Sequence, residues 1–108
     1  MALQQDQIIS LKGFCTDSTA TLYTVPLGRT CIIVDWFVNN TSDENAEVSV
    51  TMGDVSMIPG KIATPGSKYV ENGCNIQLVG GDSIKIASSS SEVCYFISGI
   101  EQDDGSLT

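Results

Sequence analysis

The sequence predicts an all-β fold: an antiparallel β-sandwich, jelly-roll-like, of about seven or eight short strands. Three observations carry this prediction. Apolar and polar side chains alternate with a period of two, most clearly where Ala46, Val48, Val50 and Met52 interleave with Glu47, Ser49 and Thr51. Turn residues punctuate the chain roughly every 8–12 residues, the spacing of short strands in a sandwich. No stretch carries the i, i+3, i+4, i+7 apolar stripe of an amphipathic helix, and β-branched residues abound.

The strands follow in order. Gln7 to Phe14 is the first, with an interruption expected at Gly13. Thr21 to Val25 is the second, stopped by Pro26. Pro26 and Gly28 then make a turn into Thr30–Asn39, which is apolar on both faces and reads as the central strand. Strict alternation along it puts Ile32, Val34, Trp36 and Val38 on one side and Cys31, Ile33 and Phe37 on the other. Asn39 and Asn40 are expected to end it, because Asn tolerates the left-handed conformation and bonds nearby backbone. Ala46 to Met52 is a half-buried strand. Gly53 to Gly73, broken by Pro59, Pro65 and glycines, reads as a long connection with one or two edge strands. Ile76–Val79 and Ser83–Ala87 flank Gly80-Gly81-Asp82, read as a hairpin turn. Val93–Glu101 closes the series, with Cys94, Phe96, Ser98 and Ile100 sharing one face.

The chain's 108 residues form one domain, residues 1–108, with short arms at 1–6 and 102–108. Its hydrophobic share of 42% and charged share of 17% are those of a globular chain. The net charge of −8 repels phosphate backbones and anionic lipid, so neither nucleic acid nor membrane is expected as a partner. Met1 to Asp6 has no basic and apolar export signal, so secretory export is not expected.

Catalytic chemistry finds little support. The chain contains no histidine, which removes Ser-His-Asp and Cys-His arrangements. Cys15, Cys31, Cys74 and Cys94 show no C-x-x-C spacing, so neither a metal site nor any other cofactor is expected. Cys31 and Cys94 lie in strand-like runs and read as small buried hydrophobes, while a bridge at Cys15 stays open. Gly80-Gly81-Asp82 lacks the glycine spacing and lysine of a phosphate loop. Asp43-Glu44 and Asp103-Asp104 read as solvated loop charges, and Asn40-Thr41-Ser42 as a polar turn. Among the aromatics, Trp36 and Phe96 are expected in the core, and Tyr69 and Tyr95 at exposed contacts. No enzyme is expected.

Two segments resemble a known pattern. Residues 21–50, TLYTVPLGRTCIIVDWFVNNTSDENAEVSV, and residues 78–102, LVGGDSIKIASSSSEVCYFISGIEQ, are similar to small virion structural proteins of tailed bacteriophages, of capsid decoration (cement) type. The resemblance implies a protein of the capsid exterior, assembled in the host cytoplasm, that bridges major capsid protein subunits and stabilises the shell. It implies a homo-oligomer, a trimer in preference to a dimer. The alternatives are a tail or spike carbohydrate-binding adhesin module and a neck or tail adaptor. Gly53–Gly73 departs from the pattern and is where partner-specific contacts are expected. Met57, Ile58, Pro59, Lys61, Lys68 and Tyr69, with Tyr95, are the contact candidates.

Overall fold

The computed structural model describes residues 6–16, 18–66, 68–71 and 74–103, with the side chains at 59, 61, 62, 69 and 71 outside the description. Among these residues there are nine strands and no helix. They are β1 (Gln7–Phe14), β2 (Ala20–Thr24), β3 (Arg29–Asn40), β4 (Ala46–Met52), β5 (Val55–Ala63), β6 (Lys68–Glu71), β7 (Ile76–Val79), β8 (Ser83–Ser88) and β9 (Val93–Asp103). The expected edge strands inside Gly53–Gly73 are β5 and β6.

Two antiparallel sheets stack. One, sheet A here, has the order β1-β9-β3-β6, with β7 also pairing β3; the other, sheet B, has the order β2-β8-β4-β5. The chain is thus one long hairpin, β1 to β4 running out and β5 to β9 running back, rolled into a double layer. Its rungs are β1·β9, β2·β8, β3·β7 with β3·β6, and β4·β5. This is jelly-roll topology with one rung broken into β6 and β7. The β7–β8 connection corrects the hairpin expected at Gly80–Asp82, because its two strands lie in different sheets. That turn is stitched to the β2–β3 corner: Val25 N–H donates to Asp82 O (2.9 Å) and Gly81 N–H to Val25 O (2.9 Å). The corner itself is the expected Pro26–Gly28 turn. Arg29 N–H donates to Pro26 O at 3.2 Å, and Gly28 takes a φ of 81° that a side chain would resist.

Alternation fills the space between the layers. Ala46, Val48, Val50 and Met52 of β4 and Ile84 and Ile86 of β8 face Val93 and Ile97 of β9, with Cys31, Ile33, Trp36 and Val38 of β3, all buried. The four β3 residues cannot share a face in a regular strand. A β-bulge between Ile33 and Asp35, opposite Gly99–Ser98 of β9, inserts one residue and reverses the parity. Trp36, 1% exposed, therefore joins Ile33 in the core, and Phe37 turns out to solvent. This corrects the strict alternation expected from the sequence.

Gly99 makes the bulge possible, since a Cβ there would lie 2.4 Å from Ile32 O. The bulged Val34 carbonyl is not stranded. It accepts from Cys74 N–H (2.9 Å) and from the Cys74 thiol (3.1 Å) in the stretch between β6 and β7. The same irregularity thus coincides with the break in the neighbouring rung.

Other local expectations resolve simply. β1 runs through Gly13 without interruption, and the Tyr95 ring lies over that glycine. Asn40 ends β3 without adopting positive φ. Its buried amide donates to Glu44 O (2.9 Å) and Ala63 O (2.8 Å), and its Oδ1 accepts from Ser42 N–H (3.0 Å), an Asx turn. Gln102 and Asp103 belong to β9 rather than to a C-terminal arm; residues 1–5 and 104–108 lie outside the described residues.

Two stability measurements follow. Gly99→Ala should cost about 1–3 kcal/mol in denaturant unfolding, because the added carbon has only backbone to push against. Trp36→Ala should cost about 3–5 kcal/mol, whereas Ser10→Ala on the solvated side of β1 should change stability by less than about 0.5 kcal/mol.

Candidate interaction face

Reversal of parity in β3 leaves an apolar surface on the outside of sheet A. Strand register places Ile8, Ile100 and Ile32 in one row across β1, β9 and β3. A second row reads Lys12, Phe96, Phe37 and Val70 across β1, β9, β3 and β6. A third reads Phe14, Cys94, Asn39 and Lys68. Phe37 and Phe96 stack with ring centroids 5.8 Å apart and planes at 28°. Lys68 Nζ sits 5.4 Å above the Phe37 ring, within cation–π range. Ile8, Phe14, Val70 and Ile100 are exposed. Lys12 and Lys68 give this face two of the chain's five cationic side chains.

The outside of sheet B is different. Glu47, Ser49 and Thr51 of β4, Thr21 of β2 and Lys85 and Ala87 of β8 face solvent there. Shallow open depressions on that side are lined by Thr19, Ser49, Thr51, Asp54 and Lys85, and by Glu47, Ser88 and Ser89. The two outer faces differ: sheet B is wet, and sheet A carries apolar and aromatic rows divided by the polar row Ser10, Ser98 and Asp35. Exposed apolar surface bordered by polar residues is a mark of a contact site.

The sequence-derived candidates divide accordingly. Lys68 lies on the sheet A face, against Phe37. Ile58 is buried, and Met57 and Tyr95 are half-buried and pack against the core. Pro59, Lys61 and Tyr69 have side chains outside the described residues. Phe96, expected in the core, lies half-buried on the outer face beside Phe37. Sequence reasoning missed Phe37, Val70, Ile8 and Phe14. The available signal was the strand β1 itself, where Ile8 and Phe14 share parity with Lys12 rather than with the core-facing Ile9 and Leu11.

A second polar constellation lies between the sheets. Arg29, 4% exposed, donates from Nε to Glu101 Oε2 (2.9 Å) and from Nη1 to Asp103 Oδ1 (2.8 Å). Tyr23 Oη, from β2 of sheet B, donates to Glu101 Oε1 and ties the layers together. Asp103 is therefore engaged, not a solvated loop charge. The cue was parity: Glu101 and Asp103 continue the inward series of Ile97 and Gly99. Paired carboxylates neutralised by a guanidinium are a structural arrangement, expensive to break from one side. Burial, then the hydrogen bond to Glu101, raises the Tyr23 pKa well above its ordinary 10.0. Burial and the nearby Glu101 likewise raise that of Cys31.

All four cysteines are free thiols. Cys31 is buried as expected, whereas Cys94 is half-exposed. Burial, then proximity to Cys94, pushes the Cys15 thiol up to about 11. Thiols held protonated in this way are poor nucleophiles at neutral pH.

These shifts fix the sign of an alkaline response. Each group holds its proton more tightly folded than unfolded, so its contribution is complete below the ordinary pKa and is lost as pH rises through the folded one. The thermal midpoint should fall as pH climbs from 9.0 to about 11 and continue falling beyond. Cys15→Ala should flatten the first part of that slope, and Tyr23→Phe the part above pH 10.0.

No protein-family model matches this sequence, and a search of curated proteins finds no match. Among solved structures, the fold is similar to that of a chain in the structure of infectious bursal disease virus, Gx strain. The TM-score is 0.56 at 12% identity, over 98% of this chain and 35% of that chain. This chain therefore spans about a third of that neighbour's length, and what the two share is the jelly-roll sandwich.

Proposed function

We propose that this chain is a virion structural protein, and within that role a decoration protein that binds the outer surface of a capsid and bridges its major capsid protein subunits. The observation that carries the reading is the one-sidedness of the sandwich. A slab with one apolar, aromatic, lysine-flanked face and one polar face is suited to lying against a larger surface with its other side in water. The fold neighbour from a virus structure supports a virion role. The similarity of residues 21–50 and 78–102 to small virion proteins of tailed phages supports decoration. No turnover is assigned to the chain: binding is the activity.

On this reading, Phe37 and Phe96 are the anchors, since aromatic residues at the centre of a contact carry most of its energy. Val70, Ile100 and the stems of Lys12 and Lys68 surround them. The chain's net charge of −8 keeps the free protein soluble before docking.

A second reading rests on the same aromatic pair. The half-exposed Phe37–Phe96 stack is a platform on which a sugar ring can lie, as in an adhesin module of a tail or spike.

The test is co-sedimentation with undecorated, expanded capsids. The decoration reading expects binding at a fixed stoichiometry, weakened about tenfold by Val70→Asp or Ile100→Asp and unchanged by Thr51→Asp on sheet B. Binding lost through Thr51→Asp, or none at all, would contradict it. Glycan-array binding abolished by Phe37→Ala would favour the adhesin instead.

A further inference from the structure

A sandwich has four sheet edges, and unpaired edges invite association unless they are blunted. Three of the four carry such devices here. β2 is five residues long and its pairing with β8 is bulged between Thr21 and Tyr23. β5 contains Pro59, and its register against β4 shifts twice. The β6–β7 edge is broken into two four-residue pieces. β1 differs. It has eight residues, no proline, a single charged side chain (Lys12) and an unbroken register with β9 from Gln7 to Phe14. Among the described residues no strand pairs with its other side. It also carries the chain's exposed Ile8 (84%) and Phe14 (63%).

We infer that β1 is a self-association edge, pairing antiparallel with β1 of a second copy about a dyad at Leu11. The occupant follows from self-complementarity. A dyad perpendicular to the sheet maps outer face onto outer face, so the numbers of directly opposed residues must sum to an even value. Centred on Leu11, the pairing sets Ile8 against Phe14 of the second copy, twice. Ile9 then opposes Gly13, Lys12 opposes Ser10, and Leu11 meets itself on the core side. Centred on Ser10, Ile8 would face Lys12; centred on Ile9, it would face Ser10. Of these three registers, only the Leu11 one covers both exposed apolar residues with each other, and it opposes no like charges. The contact is isologous and closes at two copies, a dimer rather than the trimer implied by the phage resemblance. It joins two copies of sheet A edge to edge and sets their Phe37–Phe96 faces side by side. The inference goes beyond the capsid reading and does not depend on it.

Sedimentation velocity of the full chain over a concentration series tests this, with circular dichroism confirming that each variant folds. The wild type should be a dimer. Ile8→Lys should weaken it about tenfold or more, by setting a charge against Phe14. Adding Phe14→Glu to Ile8→Lys should restore the dimer, because only the Leu11 register opposes the two altered positions; Ile8→Lys with Phe14→Lys should stay monomeric. A monomeric or trimeric wild type, a dimer indifferent to Ile8→Lys, or a double variant that fails to re-associate would overturn the inference.

Discussion

The inserted residue at Val34 is the constraint on which much else in this protein depends. β3 runs through the middle of sheet A and pairs with β9 from Arg29 to Asn40. Twelve residues in strict alternation would send Cys31 and Ile33 to one side and Trp36 and Val38 to the other. The core needs all four. One bulge meets that need, and Gly99 on the facing strand permits the close backbone approach it requires. The consequences spread outward. Trp36 is buried, Phe37 is expelled to the outer face, the neighbouring rung is split into β6 and β7, and Cys74 takes up the Val34 carbonyl. The aromatic surface of sheet A is the other side of a packing solution.

The two sheets are held in register by more than apolar contact. The Arg29–Glu101–Asp103 group lies toward the interior of sheet A, and Tyr23 reaches it from sheet B. Buried ion pairs add little net stability over well-packed apolar residues. A fixed donor–acceptor pattern, however, penalises a slip of β9 against β3, since one residue of slip would carry Glu101 to the outer face. The polar cluster and the bulge thus act on the same ladder at different points. Together they place Ile100, Phe96 and Cys94 outward along β9 with Phe37 and Ile32 beside them.

Much of this architecture was legible in the chain. The β4 alternation is nearly ideal, β3 is apolar enough to announce a central strand, and the Pro26–Gly28 turn has its own chemistry. The bulge was not legible. The run Cys31–Val34 is apolar at every position, so an added residue leaves no break in the hydrophobic pattern. The only sequence trace is Gly99, and a glycine in a strand has several explanations. The fate of Gly80-Gly81-Asp82 was hidden for another reason: a tight turn uses the same residues whether it joins strands within a sheet or crosses between sheets. The role of Arg29 was hidden, because its partners lie more than seventy residues away. The side of the sheet taken by Phe37 was hidden by the bulge itself. Phe96 was assigned to the core and Tyr95 to the surface because β9 is apolar on both faces, whereas the edge strands expected inside Gly53–Gly73 are present as β5 and β6.

Hydroxyl-radical footprinting of Trp36, Phe37 and Phe96 in the folded protein reads the central claim most directly. The bulge places Trp36 inside and the phenylalanine pair outside. Strong protection of Trp36 with oxidation of Phe37 and Phe96 is the result this account requires. Oxidation of Trp36 at the rate of the unfolded chain, with Phe37 and Phe96 protected, would mean that β3 keeps its alternation and that the outer face of sheet A is not the surface described.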